Sequence, residues 1–470
     1  MSLAWNTAIS QFDKTFIPAP VLDTIPAHTL AAIKSKLSVD KSRVTGPSKT
    51  INNYIKEVYD NRAGLVIDQF NDDYFIIDDE LTPYLQAVLD KIYSANPSLP
   101  RETNVYAYRS EVPNAMSYGE GTIAFTLGLL TRMETEAQIA FVLCHELAHY
   151  HAGHSDSKAA ELARINLDPK LKKRVRKIKR NAYGQYTKLS ELVGSLGLSI
   201  TRHSRDKEFE ADSIALRMYL NTSYSLEAPV RTLEILDSAD MSPYRHNIDF
   251  KKHFAFKAHP FRDSWIDYTR SDRWYSSETN DSLQTHPSCT KRITAIRRQM
   301  AGVPSANRKP VNLGSEQCSK LRHRSEFEIA TSLFQFKAYG RSLFLFLMLA
   351  DRYPQNSYIH AMIGQGLYQL YRYQKNHELG KVLALPDPRF EENYDRYLSF
   401  IHSLRLTELA SLSYYYVSTK KEFHKEQEDF LYACWLTSTT AIGNEDPAKI
   451  KAEYAMRFPS GKYLTKMKVQ

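Results

Sequence analysis

"FVLCHELAHYHAGH", Phe141 to His154, places four histidines and one glutamate directly behind an apolar run. Thr135 and Gln138, just upstream, stand at capping-box spacing, a local signal for a helix start. The pattern predicts a helix from about 136 to 152, with Gly153 as its stop. Residues 139–143, "IAFVL", are apolar on every side, and a helix of that kind is buried. Residues four apart share a helix face, so His145 and His149 project side by side, as two imidazoles must to grip one metal ion. Glu146 lies about 100° round the helix from His145, within reach of a water held by the metal. A buried histidine pair and a buried carboxylate are costly unless something satisfies them, which favours a metal over a surface helix. His151 and His154 lie about 200° and 140° from His149. Neither shares the metal face while the helix stays straight, and both are read as helix-end or surface histidines.

An open catalytic zinc site has three protein ligands plus water, so a third ligand must come from elsewhere. The metzincin extension would need Gly and His where Ala152 and Ser155 stand. "EFEAD", 208–212, supplies the best candidate on a predicted helix over 205–220. Glu208 and Asp212 share one face. Glu208 suits a metal ligand, and Asp212 suits a carboxylate that holds a ligand histidine by its other nitrogen. Arg205, one turn earlier, is placed to neutralise the pair. Alone, such an acidic pair is an ordinary solvated helix start. Beside HELAH it reads as the missing arm.

Around this centre the text is mostly helical. Helices fit 49–70 and 80–95, while "NVYAYRS" (104–110) and "GTIAFTLGLL" (121–130) read as strands of a small sheet. Residues 299–323, with Gly302, Pro304, Pro310 and Gly314, read as a linker. Beyond 324 the pattern is helix, turn, helix, proline, helix. Its repeat of roughly 33 residues is close to the tetratricopeptide (TPR) period. The expected layout is an N-terminal segment over 1–48, a metal-binding domain over 49–298, the linker, and TPR-like helical repeats over 324–470. The fold class is therefore mainly α with a small β-sheet, followed by an all-α repeat region.

The chain has 470 residues, 43% hydrophobic and 24% charged, enough for two packed domains. A net charge of +9 is mild at this length, and the basic run at 170–180 reads as a solvated helix face, so no nucleic-acid partner is expected. Four scattered cysteines exclude a disulfide framework and a cysteine zinc knuckle. The longest apolar run, 342–350, is too short to span a bilayer, so the chain is not expected to be an integral membrane protein. No signal peptide is read at the N-terminus. The expected compartment is the periplasm if a signal has been removed, and otherwise the cytoplasm.

HELAH followed by EFEAD, with Glu208 59 residues after His149, resembles peptidase family M forty-eight, a gluzincin family. That family includes the CAAX prenyl endopeptidase, the HtpX-type heat-shock proteases and soluble periplasmic proteases bearing TPR repeats. "NAMSYGEGTIAFTLGLL" (114–130) is similar to the family's Asn-Ala motif, and "THPSCTKRI" (285–293) to its closing His-Pro motif. With no spanning helix, the chain looks most like the soluble, TPR-bearing branch. The resemblance implies one zinc ion on His145, His149 and Glu208, with Glu146 as catalytic base and Asp212 behind the ligands. It implies that Thr122, Ile123, Ala124 and Phe125 form the edge strand taking a substrate peptide, and that His286 gates or caps the site. The expected function is a zinc metalloendopeptidase acting on protein substrates in quality control, with protein partners at the TPR-like region. The alternative is a chaperone or scaffold whose metal site is idle.

Overall fold

The computed structural model describes residues 12–21, 24–78, 80–170, 173, 205–237, 243–267, 289–305, 308–310, 312–387, 390–440, 442 and 445–467. It divides into two compact units. One, the sheet unit, comprises residues 19–240 and 277–322; the other, the helical unit, comprises 1–18, 241–276 and 323–470. Described residues 12–18 and 243–267 thus belong with the helices that follow 323. The stretch read as a linker over 299–323 turns helical at Ser315.

In the sheet unit the described elements run α1 (Ala27–Arg43), α2 (Lys49–Asn71), β1 (Phe75–Ile76), α3 (Leu81–Ala95), β2 (Asn104–Tyr108), β3 (Ala115–Ser117) and β4 (Thr122–Thr126). Then come α4 (Glu136–His151), α5 (His154–Leu167), α6 (205–220), α7 (Ala228–Asp237) and α8 (Cys289–Met300). The strand order is β1-β2-β4-β3. β4 pairs parallel with β2, Asn104 opposite Thr122, and antiparallel with β3, Ala115 opposite Phe125.

That order corrects one expectation. Thr122, Ile123, Ala124 and Phe125 lie on an interior strand, bonded on both sides and buried throughout. Among the described residues the sheet edge beside them belongs to β3. The β3–β4 connection turns at Gly121, whose φ of +97° and close approach to the Glu102 carbonyl leave no room for a Cβ.

Apolar periodicity explains the layers. α2 buries Ile55, Tyr59, Ala63, Val66 and Phe70, a single stripe at helical spacing. Its second half packs with Ile33 of α1 on Phe75, Tyr108 and Ala124 of the sheet. Its first half meets Ala159 and Ala163 of α5. α4 is apolar all round from Ile139 to Cys144, with Ile139, Ala140, Leu143 and Cys144 almost wholly buried. Thr135 and Gln138 form the capping box. Glu136, also buried, is held by Lys91 Nζ at 2.7 Å and by the hydroxyls of Tyr84 and Tyr224.

The helical unit contains α9 (Ser315–Gln335, from His323 on), α10 (Tyr339–Arg352), α11 (Ser357–Lys375), α12 (Glu392–Ser403), α13 (Leu406–Ser418), α14 (Glu428–Ser438) and α15 (Pro447–Arg457). Phe12 and Phe16 stack on Phe327, at centroid separations of 5.4 and 4.7 Å. Asn356 caps α11 through Ile359 N and donates to the Phe12 carbonyl at 2.6 Å. α11 packs against α10, α13 and α14 alike. All four cysteines are free, and no described helix is long and apolar enough to cross a membrane.

Candidate metal centre

The site is built where α4 meets α6. His145 Nε2 and His149 Nε2 stand 3.0 Å apart. Glu208, arriving on α6, places one carboxylate oxygen 3.5 Å from His145 Nε2 and the other 3.5 Å from His149 Nε2. Among the described residues these three form the one cluster suited to a metal ion, with donor atoms all within 4.8 Å of one another. Tetrahedral ligands about 2.0–2.1 Å from a zinc ion lie roughly 3.3 Å from each other. The observed separations scatter around that value, and two nitrogens plus one oxygen is a zinc donor set.

The ligands are oriented from behind. Asp212 Oδ1 lies 3.0 Å from His145 Nδ1, which turns Nε2 toward the other two donors. Arg292, on α8, grips both Asp212 oxygens at 2.7 Å and lies 3.6 Å from Glu208. Burial opposes the Asp212 charge, but Arg292 and His145 outweigh it and hold the carboxyl below its usual range. Burial likewise works against a charged His145, and Asp212 and Glu208 overcome it, so its pKa rises. His149 moves down, pressed by burial and by the His145 charge beside it. Two rings 3.0 Å apart do not both take a proton.

Glu146 is buried on the side of α4 that faces β3. Burial raises its pKa, the charge of Glu208 adds to this, and the Ser117 backbone amide, bonded to it, offsets part. A carboxyl so poised holds a proton more readily than an exposed glutamate does, which suits a group that must take up and return one.

Three sequence readings meet the coordinates differently. Arg292, which the sequence reading passed over within the "THPSCTKRI" phrase, brings a guanidinium to the carboxylate pair once the fold carries α8 to α6. His154 stands at a helix end, opening α5, but it is not a surface histidine. It is 7% exposed, and its Nδ1 lies 2.9 Å from His149 Nδ1. The straight-helix count failed because α4 stops at His151 and Gly153, at φ +64°, turns the chain back. His286, and most of the basic run at 170–180, lie outside the described residues.

Residues 79–300 match the model of Peptidase family M48. No curated protein matches the chain.

Proposed function

We propose that this chain is a zinc-dependent endopeptidase that cuts protein substrates. The reading rests above all on the convergence of His145, His149 and Glu208, with Glu146 beside the sheet edge. When bound, zinc would lower the pKa of a coordinated water towards about 7 and polarise the scissile carbonyl. Glu146 accepts the water's proton at its carboxylate and returns it to the leaving amine. The sheet edge at Ala115–Ser117 takes the substrate as an added strand, which lays the peptide across the Glu146 carboxylate. His145, His149 and Glu208 hold the ion, and Asp212 with Arg292 keeps His145 turned to it.

A role in protein quality control, and a TPR-like helical unit that docks substrates or partners, complete the proposal. Glu146→Gln tests it. The variant should bind zinc like the wild type and hydrolyse a chemically unfolded protein at least about 100-fold more slowly. Cutting at the wild-type rate would overturn the role of Glu146. Full cutting by a Glu208→Ala protein that has lost its zinc would overturn the metal reading.

A further inference from the structure

We propose that His154 is a positioning residue for the metal centre, fixing the tautomer and ring plane of His149 and relaying that hold to Glu210. The inference rests on the zinc reading above, and it concerns residues for which HExxH and EFEAD assign no task.

His149 binds through Nε2, the atom that faces His145 and Glu208. A neutral imidazole that offers Nε2 as a lone pair carries its proton on Nδ1. The partner of that proton is His154 Nδ1, at 2.9 Å. His154 must therefore accept at Nδ1 and carry its own proton on Nε2. That nitrogen points at Glu210 Oε2, 3.3 Å away. The rings of His149 and His154 sit 4.9 Å apart and nearly perpendicular, at 73°, so each is fixed by the other.

Local chain chemistry delivers the contact. Gly153 adopts the left-handed conformation, and the hydrogen bond from Ser157 N to its carbonyl opens α5 with His154 in the first position. His154 is thereby swung back over the last turn of α4. Lys207, one residue before the ligand Glu208, donates to the His154 carbonyl at 3.4 Å and ties the turn to α6. The two histidine ligands are thus secured differently. His145 rests on a buried carboxylate, Asp212, while His149 rests on a neutral ring whose own carboxylate, Glu210, is 60% exposed at its side chain.

The test compares two substitutions that separate hydrogen bonding from packing. His154→Asn keeps an acceptor at the δ position but loses volume. His154→Leu keeps volume but has no acceptor. Zinc affinity is read by competition with a chromophoric chelator, with no peptidase assay involved. His154→Leu should weaken zinc binding about 10- to 100-fold, while His154→Asn should stay within about threefold of the wild type. If His154 served only to fill space, the order would reverse, and that result overturns the proposal. Equal affinities for His154→Leu and the wild type overturn it as well.

Glu210→Leu alters an exposed group and leaves the buried packing in place, so it reads the far end of the relay even if the His154→Leu protein folds poorly. About a two- to fivefold loss is expected, and no loss removes Glu210 from the relay. A wild-type protein that binds no zinc would instead sink the metal reading itself.

Discussion

Asp212 and Glu120 are both carboxylates cut off from water in the same unit, at 2% and 5% exposure, and the fold treats them oppositely. Asp212 meets a bidentate guanidinium at 2.7 Å and the His145 ring at 3.0 Å. Glu120, in the hairpin between β3 and β4, has its nearest ion-pair partner, Arg62 Nε, 4.0 Å away. One charge is fixed and the other is not. Burial alone therefore does not set the state of a carboxyl; the geometry of its partner does. The fixed charge orients a metal ligand, where a change of state would misplace the ion. The uncommitted charge sits beyond the end of the edge strand, where it touches no proposed ligand.

The comparison breaks most violently at Arg292. Arg292→Met would leave Asp212 and Glu208 buried beside each other without their cation. A stability loss of about 3–5 kcal/mol is expected from chemical denaturation of the zinc-free protein, because breaking a buried pair strands a charge. A loss below about 1 kcal/mol would mean that Asp212 is better solvated than its burial indicates.

Asp212→Asn is gentler. The amide keeps the shape and one acceptor but removes the charge that draws the His145 proton to Nδ1. Zinc affinity should fall about 10- to 100-fold, measured by chelator competition, with modest change in unfolding midpoint. Affinity equal to the wild type would show that the ring is oriented by packing alone.

How far these features can be read without coordinates depends on whether their causes are local. The α4 helix, its Thr135–Gln138 box and the His145/His149 pair follow from neighbours three and four positions apart, so they are legible in the chain. So is the Glu208/Asp212 face of α6. The edge of the sheet is not, because β3 is three residues long and its role depends on which strand it covers. A short strand with no alternation carries little signal. Arg292 escapes for the same reason, lying 80 residues from the carboxylate it grips. His154 was within reach: "HAGH" contains the glycine that stops the helix, and a stopped helix does not carry its angular count onward. In the helical unit, the helix–proline–helix pattern around Pro354 is local, whereas the stacking of Phe12 and Phe16 on Phe327 joins distant segments.

The smallest effect belongs to the uncommitted carboxyl. Burial pushes the Glu120 pKa up from an ordinary 4.5 to about 7, with the Thr122 hydroxyl and amide and the distant Arg62 offsetting only part. The folded state therefore binds more protons than the unfolded chain between about pH 4.5 and 7. Stability that is fully present below pH 4.5 declines as the pH climbs through this window, and the decline is complete above about 7. Glu120→Gln has no charge to bury, so it should flatten this part of the profile. The difference in unfolding free energy between about pH 5 and about pH 8, taken on zinc-free protein in denaturant, should shrink by about 1–2 kcal/mol in the variant. An unchanged difference would show that Arg62 already holds the charge across 4.0 Å, and the contrast with Asp212 would then be one of distance and not of state.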